Sequence, residues 1–507
     1  MNPFDYKTEV RQERLQVLFE FFELQGDFLF FPLPDVSILA ASIEDGRDLP
    51  PAPVPRLICF SLSHHAKIHK IFLEDPQKVA RKLYIQRYTK APKPMAEIIP
   101  FRGLLYDVSK VSIEDVLAPP YDIITPEDRE SLYRKSPHNI VRIDFGKEEP
   151  GDNETENKYS RARRCLDAWI KDGLLKRSDR PSFYAYEVTY TVENMRKQLR
   201  GFLCLVKLEE LGKGSVYPHE YTRPKPKQDR LNLLKACEAN TSPIFSLYNS
   251  SADGISDILS RIALTKPTLQ AADHSGDLHR LWQIDRSEEI EIIRQELADK
   301  PIFIADGHHR YETSFEYSRE MSVKKKSSSD RKAYDYTLTF LANMMDEGIT
   351  ILPTHRLIKE IPRDIDRMLS GYFEMETVTK DFDIRRRLSG RRKVFGFFRR
   401  REKAWHVLTY KGRDLSEIHP DLREIDVVIL DEMVIKKILM NAEIGYEMDI
   451  AKALDQVNHG AYEAAFFLNP TQAKDIEKSA LSLMRMPPKS TYFYPKLLTG
   501  LVLNKWE

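Results

Sequence analysis

The stretch IFIADGHHRYETSFEY, from Ile302 to Tyr317, determines how the centre of this chain is expected to fold. Its apolar start predicts a short strand, Gly307 predicts a turn, and the remainder predicts the first turns of a helix. The first N–H groups of a helix lack partners within the helix, and the macrodipole adds about half a positive charge there. Gly307 lets an anion approach the backbone, while His308, His309 and Arg310 add donors. The stretch therefore predicts a phosphate-binding turn; the alternative is a structural corner capped by its histidines.

The chain has 507 residues, of which 42% are hydrophobic and 31% charged. That length exceeds one ordinary core and predicts two to four domains at about 100 to 200 residues each. No apolar stretch approaches the roughly 18 residues that a membrane-spanning helix needs, and the first residues lack the pattern of a signal peptide. Four cysteines without CxxC spacing argue against a zinc site and a disulfide scaffold. We expect a cytoplasmic protein that does not enter a membrane.

Basic and acidic residues balance in this chain, at 78 against 77. Nucleic-acid-binding domains draw affinity from phosphate neutralisation, so they usually concentrate a basic excess on one face. The local basic runs, such as Arg391 to Lys393, are interpreted as solvated loops or strand edges. Nucleic acid is therefore not an expected partner.

Hydrophobic patterning predicts alternating strands and helices, and hence a mixed α/β fold class. The predicted elements include strands Ile140–Phe145, Ser182–Thr191 and Ile244–Tyr248, helix Pro126–Lys135 with Thr125 as its N-cap, and helix Lys158–Asp172.

Composition and periodicity divide the chain into four blocks. Residues 1–94 have weak periodicity and are interpreted as a poorly defined N-terminal extension. Residues 95–200 are expected to form a mixed α/β domain, and residues 201–330 a core that carries the DGHHR motif. Residues 331–507 are expected to form a C-terminal mixed α/β domain.

Two carboxylates precede the predicted phosphate-binding turn. Glu220 follows His219 in the loop VYPHEYT, and Asp306 lies directly before Gly307. In phosphoryl transfer a carboxylate can accept the proton of a substrate hydroxyl or hold a metal ion. We expect Glu220 to be the base, with His219 orienting it or contacting the transferred phosphoryl group. Asp306 is expected to bind a magnesium ion or to cap the helix.

The motifs IPFRG, APPYD, PHEYT with a following DRL, NTSPIF, ADGHHRYET, LPTHR and PPKSTYFYPKLLTGL stand in this order between residue 95 and about residue 506. In that order the chain resembles the family known as domain of unknown function 1015. Its third block is also similar to the ParB/sulfiredoxin superfamily, and most of all to the free serine kinase branch. The resemblance implies a ParB/sulfiredoxin-like nucleotide-binding core flanked by additional α/β domains.

The resemblance also implies roles for the motif residues. In the free serine kinase branch, DGHHR holds the nucleotide phosphates and the glutamate of an HE pair activates the serine hydroxyl. Carried over, this places Asp306, Gly307, His308, His309 and Arg310 on the phosphates of ATP or ADP. Sulfiredoxin has its catalytic cysteine where this chain has His308, so sulfinic-acid reduction is not expected. Nor does a recognition-helix pattern of the ParB type follow the turn.

Further polar residues in the motifs are secondary candidates for contacts with substrate or phosphate. Lys489 and Lys496 flank hydroxyls and aromatic residues, and either close over a phosphorylated ligand or belong to a surface strand. The LPTHR motif is interpreted as another polar turn that contacts a ligand; the alternative is that its polar residues have a purely structural role. The secondary candidates are Arg230, Asn240, Thr241, His355, Arg356, Lys489 and Lys496.

The sequence supports three functional hypotheses. The first is a nucleotide-dependent phosphotransferase that uses ATP or ADP and magnesium to phosphorylate a small hydroxylated amino acid, with free serine as the first candidate. The second is a ParB-like switch in which the nucleotide controls an interaction without catalysis. The third is a metal-dependent hydrolase that uses His308 and His309, although adjacent residues at a helix start point in different directions. The sequence specifies no oligomeric state.

Overall fold

The computed structural model describes residues 96–222, 224–325, 332–378, 383–440 and 442–506. The predicted N-terminal extension, residues 1–94, lies outside the described residues. Within the described residues the strands are β1 Ile98–Ile99, β2 Leu104–Tyr106, β3 Leu175–Arg177, β4 Phe183–Val192, β5 Met195–Lys207, β6 Val216–Tyr217, β7 Ala239–Asn240, β8 Ile244–Tyr248, β9 Leu269–Ala272, β10 Leu278–Ile284, β11 Ile302–Asp306, β12 Tyr336–Asn343, β13 Thr350–Leu352, β14 His355–Ile358, β15 Phe373–Val378, β16 Val394–Arg399, β17 Ala404–Tyr410, β18 Ile444–Glu447, β19 Ala464–Phe467, β20 Tyr492–Tyr494 and β21 Asn504–Lys505.

Helices alternate with these strands, and the mixed α/β fold class is confirmed. The α-helices of the described residues are α1 Ile113–Val116, α2 Pro126–Lys135, α3 Val141–Asp144, α4 Lys158–Lys171, α5 Pro224–Cys237, α6 Gly254–Ala263, α7 Ser287–Leu297, α8 His308–Lys325, α9 Ile365–Ser370, α10 Ile384–Leu388, α11 Asp426–Leu430, α12 Ile450–Asn458 and α13 Ala473–Leu481. None of the described helices is long and apolar enough to cross a membrane.

The largest sheet has nine strands in the order β6-β11-β8-β12-β5-β4-β10-β9, with β1 on the end of β5. β11 runs parallel to β6, and β12 runs parallel to β8, while the other neighbours are antiparallel. β5 crosses residue 200 and β12 begins at Tyr336, so the sheet takes strands from all three predicted domains, 95–200, 201–330 and 331–507. The independence of those domains stays a prediction.

Side chains alternate between the two faces of the nine-stranded sheet, and apolar clusters cover both faces. In β4, Phe183 packs in one apolar cluster with α6 and α7, whereas Tyr184 and Tyr186 point into the cluster on the other face. The second face shares its cluster with a six-stranded sheet of order β15-β17-β16-β19-β14-β18. Burial on both faces explains why the strands leading to the site are nearly continuous in apolar residues.

The predicted helix Pro126–Lys135 is confirmed with the same boundaries. Thr125 Oγ1 accepts the Asp128 backbone N–H at 3.1 Å, and the Asp128 carboxylate accepts the Thr125 N–H in return. The two residues of this capping box are only three positions apart, so the sequence alone predicts it. The predicted strand Ile244–Tyr248 is also confirmed, as β8.

The predicted strand Ile140–Phe145 is wrong, because these residues form the short helix α3. Asn139 causes the difference. Its side-chain oxygen accepts the Val141 N–H at 2.9 Å, and its amide group donates to the carbonyls of Asp115 and Leu117. These distant contacts start a helical turn in a sequence whose alternation favours a strand.

Candidate functional site

The candidate site begins where β11 ends and α8 starts. Gly307 connects them with φ of +94°, a conformation that favours glycine. A Cβ on Gly307 would lie only 3.0 Å from Nε of Arg310. The first helical bond runs from the Tyr311 N–H to the Gly307 carbonyl, so the amides before Tyr311 precede the helical ladder. The predicted strand, glycine turn and helix are therefore present, with the backbone arranged as an anion-binding turn requires.

Arg310 folds back across this turn. Its Nη1 donates to the carbonyl of Pro243, the residue before β8. Its Nε is buried and has no hydrogen-bond partner within the described residues. A buried guanidinium N–H without a partner is costly, and an anionic oxygen at this position would satisfy it.

Asp306 is paired with Lys496, which comes from the loop after β20. The Lys496 Nζ lies 2.8 Å from an Asp306 carboxylate oxygen and 4.1 Å from the centre of the Tyr492 ring. Burial disfavours the Asp306 carboxylate, but the positive charges of Lys496 and Arg310 outweigh burial and hold its pKa well below the usual range. Asp306 is therefore an anion at neutral pH, and Lys496 is held over the turn as a cation.

Two buried histidines stand beside the turn. The His219 ring centre lies 4.8 Å from that of His308, and the His219 backbone N–H donates to Nε2 of His308 at 3.3 Å. Burial, with the neighbouring His219, lowers the pKa of His308 to about 3, so this ring is neutral at pH 7. His219 Nδ1 lies 2.7 Å from the carbonyl of Ile304, and its Nε2 lies 2.9 Å from the Thr491 hydroxyl.

Glu220 binds the loop that carries Lys489. Its carboxylate accepts the backbone N–H groups of Lys489, Ser490 and Thr491 at 3.2, 2.9 and 2.9 Å, and the Thr491 hydroxyl at 3.0 Å. Burial opposes its ionisation, yet the His219 ring at 3.7 Å and the Thr491 amide lower the pKa of Glu220 to about 2. Three of these four hydrogen bonds reach Oε1, so Oε2 keeps capacity for a further donor.

The secondary candidates other than Lys489 and Lys496 separate into two groups. Arg230 and Thr241 line a small cavity that Asp144 and Arg310 also border. Asn240 also borders this cavity, but its Oδ1 accepts the Leu338 N–H at 3.2 Å and the Asn504 side-chain amide at 2.9 Å. Asn240 thereby connects neighbouring strands.

His355 and Arg356 lie in strand β14 of the six-stranded sheet, and the predicted polar turn is wrong at these two residues. β14 pairs with β18 on one side and β19 on the other, which buries both side chains. Arg356 Nη1 donates to the Thr354 carbonyl, and its guanidinium lies 5.0 Å from the Tyr446 ring centre.

Sequence reasoning missed two participants. Thr491 connects His219 with Glu220, and Asp144 belongs to the segment misinterpreted as a strand. Tyr121 of the APPYD motif lies over Arg230, with 4.0 Å from the guanidinium carbon to the ring centre.

The acidic and histidine side chains do not by themselves form a metal cage. Across the described ranges, no group of three or more His, Cys, Asp or Glu side chains could hold a metal ion. His308 and His309 in particular do not form such a group, which the hydrolase hypothesis would need. A magnesium ion in this site would require oxygen atoms from a ligand, as is common when magnesium accompanies phosphates.

A family model described as "Protein of unknown function (DUF1015)" matches residues 98–428. The chain belongs to the DUF1015 family. No curated protein matches the chain.

Solved structures with a distant likeness to this DUF1015 protein include three of interest. A free serine kinase in complex with AMP shares 11% identity at a TM-score of 0.31, covering 55% of this chain and 83% of its own. A conserved hypothetical protein from Pyrococcus furiosus shares 12% sequence identity at a TM-score of 0.30. The match covers 55% of this chain and 87% of that protein. SbnI from Staphylococcus aureus, truncated at its C-terminus, shares 12% sequence identity at a TM-score of 0.32. The match covers 59% of this chain and 85% of that protein. Overlap this low carries no argument about function, and any functional conclusion must rest on the geometry of the site.

Proposed function

We propose that this protein is a nucleotide-dependent phosphotransferase whose acceptor is a small hydroxylated amino acid, with free serine as the first to test. One observation carries the proposal. The glycine turn before α8, the buried Nε of Arg310, the cation of Lys496 and the carboxylate of Glu220 converge at one end of β11. Phosphoryl transfer needs this combination, because its catalysis is mostly positioning and charge neutralisation. A ParB/sulfiredoxin-like core remains part of this proposal.

The phosphates of ATP or ADP would lie against the start of α8. The amides at the helix start and the macrodipole favour an anion there, and Gly307 supplies the positive φ that the turn needs. Arg310 would donate its buried Nε–H to a phosphate oxygen. Lys489 and Lys496 would add positive charge from the loop that Glu220 holds in place.

Asp306 is the residue that would hold a magnesium ion, with phosphate oxygens and water as the other ligands. Its low pKa keeps it ionised, as a ligand must be. When bound, the ion would neutralise charge on the transferred group. Lys496 already pairs with Asp306, so the two cations would share one carboxylate.

Glu220 would orient the acceptor hydroxyl through Oε2. As the hydroxyl oxygen bonds to the terminal phosphorus and the bond to the nucleotide breaks, the hydroxyl proton passes to the Glu220 carboxylate. A carboxylate with a pKa of about 2 is ionised at neutral pH, so it is ready to accept this proton and then releases it to solvent. The released nucleotide retains the electrons of the broken P–O bond.

The test is incubation of the purified protein with ATP or ADP, magnesium and L-serine, followed by ³¹P NMR. We expect O-phosphoserine to appear in step with AMP from ADP, or ADP from ATP. Absence of any phosphorylated product across both nucleotides and a set of hydroxy amino acids would refute the phosphotransferase. Nucleotide binding that persists without product would then favour the ParB-like switch.

A further inference from the structure

A small cavity with several charged residues in its lining is bordered by Arg310 of the turn. The centre of a water-sized sphere can explore about 40 Å³ of it. About 10 to 15 Å³ of such space holds one water molecule, so this cavity has room for a small charged head group. Its lining includes the charged residues Asp144, Arg230 and Arg310, and the hydroxyls of Thr241 and Ser242.

Two buried charges in this cavity lack full hydrogen bonding. Arg230 is 6% exposed and Asp144 is 2% exposed. Their nearest approach, from Arg230 Nη1 to Asp144 Oδ1, is 3.5 Å. In the described part of the chain, neither Arg230 Nη1 nor Asp144 Oδ2 has a hydrogen-bond partner. Buried polar atoms are nearly always paired, so one donor and one acceptor await a ligand or water.

The remaining atoms of both residues are firmly held. Arg230 donates through Nε and Nη2 to Asp229, at 3.0 and 2.6 Å, and the Tyr121 ring covers its guanidinium. Asp144 Oδ1 accepts the Thr241 hydroxyl at 2.6 Å. Both charged groups are therefore fixed in orientation, as a binding site requires.

The signs of these charges restrict the ligand. A simple anion would meet Arg230 and Arg310 but also the Asp144 carboxylate, and a simple cation would meet Asp144 but also both arginines. A molecule that carries a carboxylate and an ammonium group on one carbon satisfies Arg230 and Asp144 together. We propose that this cavity binds the α-carboxylate and α-ammonium groups of a small amino acid. The inference rests on the proposed function, for which it supplies the acceptor site.

This position also agrees with the location of the turn. Arg310 lines the cavity, and its guanidinium lies beside Gly307, so one side chain borders both proposed binding regions.

The first experiment uses the unaltered full chain and three matched ligands. L-serine has both charged groups, 3-hydroxypropionate lacks the ammonium group, and ethanolamine lacks the carboxylate. Saturation-transfer NMR, with ADP present, measures the affinity of each. Removing either group leaves a buried charge unpaired, so we expect each analogue to bind at least about tenfold more weakly than L-serine. Equal affinities, or no binding of any of the three, would overturn the inference.

The second experiment tests whether Asp144 provides the selectivity for L-serine over 3-hydroxypropionate. Asp144→Asn removes the charge that meets the ammonium group, so L-serine should bind at least about tenfold more weakly while 3-hydroxypropionate binds as before. A merely structural Asp144 would weaken both ligands equally, which would overturn the inference. Asp152→Asn is the matched control, because Asp152 also accepts from an arginine, Arg161, at 2.6 Å in the same part of the chain. If Asp144→Asn does not fold, the ligand series on the unaltered chain still decides.

The two proposals fail separately. Selective binding of L-serine without any phosphorylated product would retain the amino acid site and refute the phosphotransferase. Phosphorylation of all three ligands with similar kcat/KM would retain the phosphotransferase and refute the amino acid site.

Discussion

Two histidine–arginine pairs in this chain occupy opposite environments. His309 and Arg310 open helix α8 beside a glycine turn, whereas His355 and Arg356 lie within strand β14 between two neighbouring strands. Both arginines have a buried nitrogen without a hydrogen-bond partner among the described residues. Residue type and burial therefore do not identify a site by themselves.

The surroundings separate the two pairs. Arg310 has the amides of a helix start, the cation of Lys496 and a charged cavity around it. Arg356 has the carbonyl of Thr354 and the face of Tyr446, and burial lowers its pKa. An anion gains several favourable partners at the first and almost none at the second. Substitutions in the two regions should therefore have different consequences.

The largest effect is expected from Glu220→Gln. The substitution keeps an oxygen for the amides of Ser490 and Thr491 but removes the base, so product formation should fall by about two to four orders of magnitude. Nucleotide affinity, measured by calorimetry, should stay within a few-fold. Glu209→Gln is the control, since Glu209 also accepts a loop amide, that of Val216, and should retain activity. Full activity in Glu220→Gln would refute the role of Glu220 as the base.

Arg310→Ala should mainly weaken nucleotide binding, whereas Arg356→Ala should mainly lower stability. Losing a charge-assisted bond to phosphate should weaken nucleotide binding in Arg310→Ala by about 1.5 to 3 kcal/mol, or roughly ten- to more than a hundredfold. Arg356→Ala should lower the free energy of unfolding and leave nucleotide affinity unchanged. Calorimetry and chemical denaturation on both variants measure this. Equal loss of affinity in the two would erase the distinction between the regions.

Two glycines with similar backbone angles provide a finer comparison. Gly307 and Gly276 have φ of +94° and +82°, and alanine at either costs about 1 to 2 kcal/mol of stability. Only at Gly307 would the added Cβ meet the Arg310 guanidinium, whereas nothing lies within 4 Å at Gly276. Nucleotide affinity should therefore fall about tenfold in Gly307→Ala alone. Unchanged binding in that variant would contradict the phosphate-binding turn.

Acid should destabilise both regions. Burial lowers the pKa values of His308 and His355 to about 3, below the usual 6.5. Below pH 6.5 the unfolded chain binds a proton at each histidine that the folded chain does not bind. The free energy of unfolding is therefore highest above pH 6.5 and falls as pH drops from 6.5 toward 3, by up to about 1.4 kcal/mol per pH unit for each histidine. His308→Gln and His355→Gln should each reduce this slope in denaturation curves. A slope identical to that of the unaltered chain would show that the histidine titrates normally.

The sequence predicts what is encoded locally. Thr125 and Asp128 stand three residues apart and define the start of α2, and the apolar run before Gly307 defines β11. Contacts between distant segments escape such prediction. Lys496 pairs with Asp306 across 190 positions, and Thr491 contacts Glu220 across 271. No local pattern reports which loop amides will surround a carboxylate.

The same reasoning explains the error at Ile140–Phe145. Alternation in IVRIDF favours a strand, whereas the bonds from Asn139 to the distant carbonyls of Asp115 and Leu117 stabilise the start of the helix. That error hid Asp144, which lies in the helix and lines the proposed amino acid site. The roles assigned to the motif residues stay predictions until ligands are bound.

The most direct test is a calorimetric comparison of ADP with adenosine on the unaltered chain. If the turn around Gly307 and Arg310 holds phosphate, ADP should bind at a single site, and adenosine should bind at least about a hundredfold more weakly because it lacks the charged groups. Added salt should weaken ADP binding and leave adenosine binding nearly unchanged. Equal affinities for the two, or no ADP binding at millimolar concentration, would contradict the account.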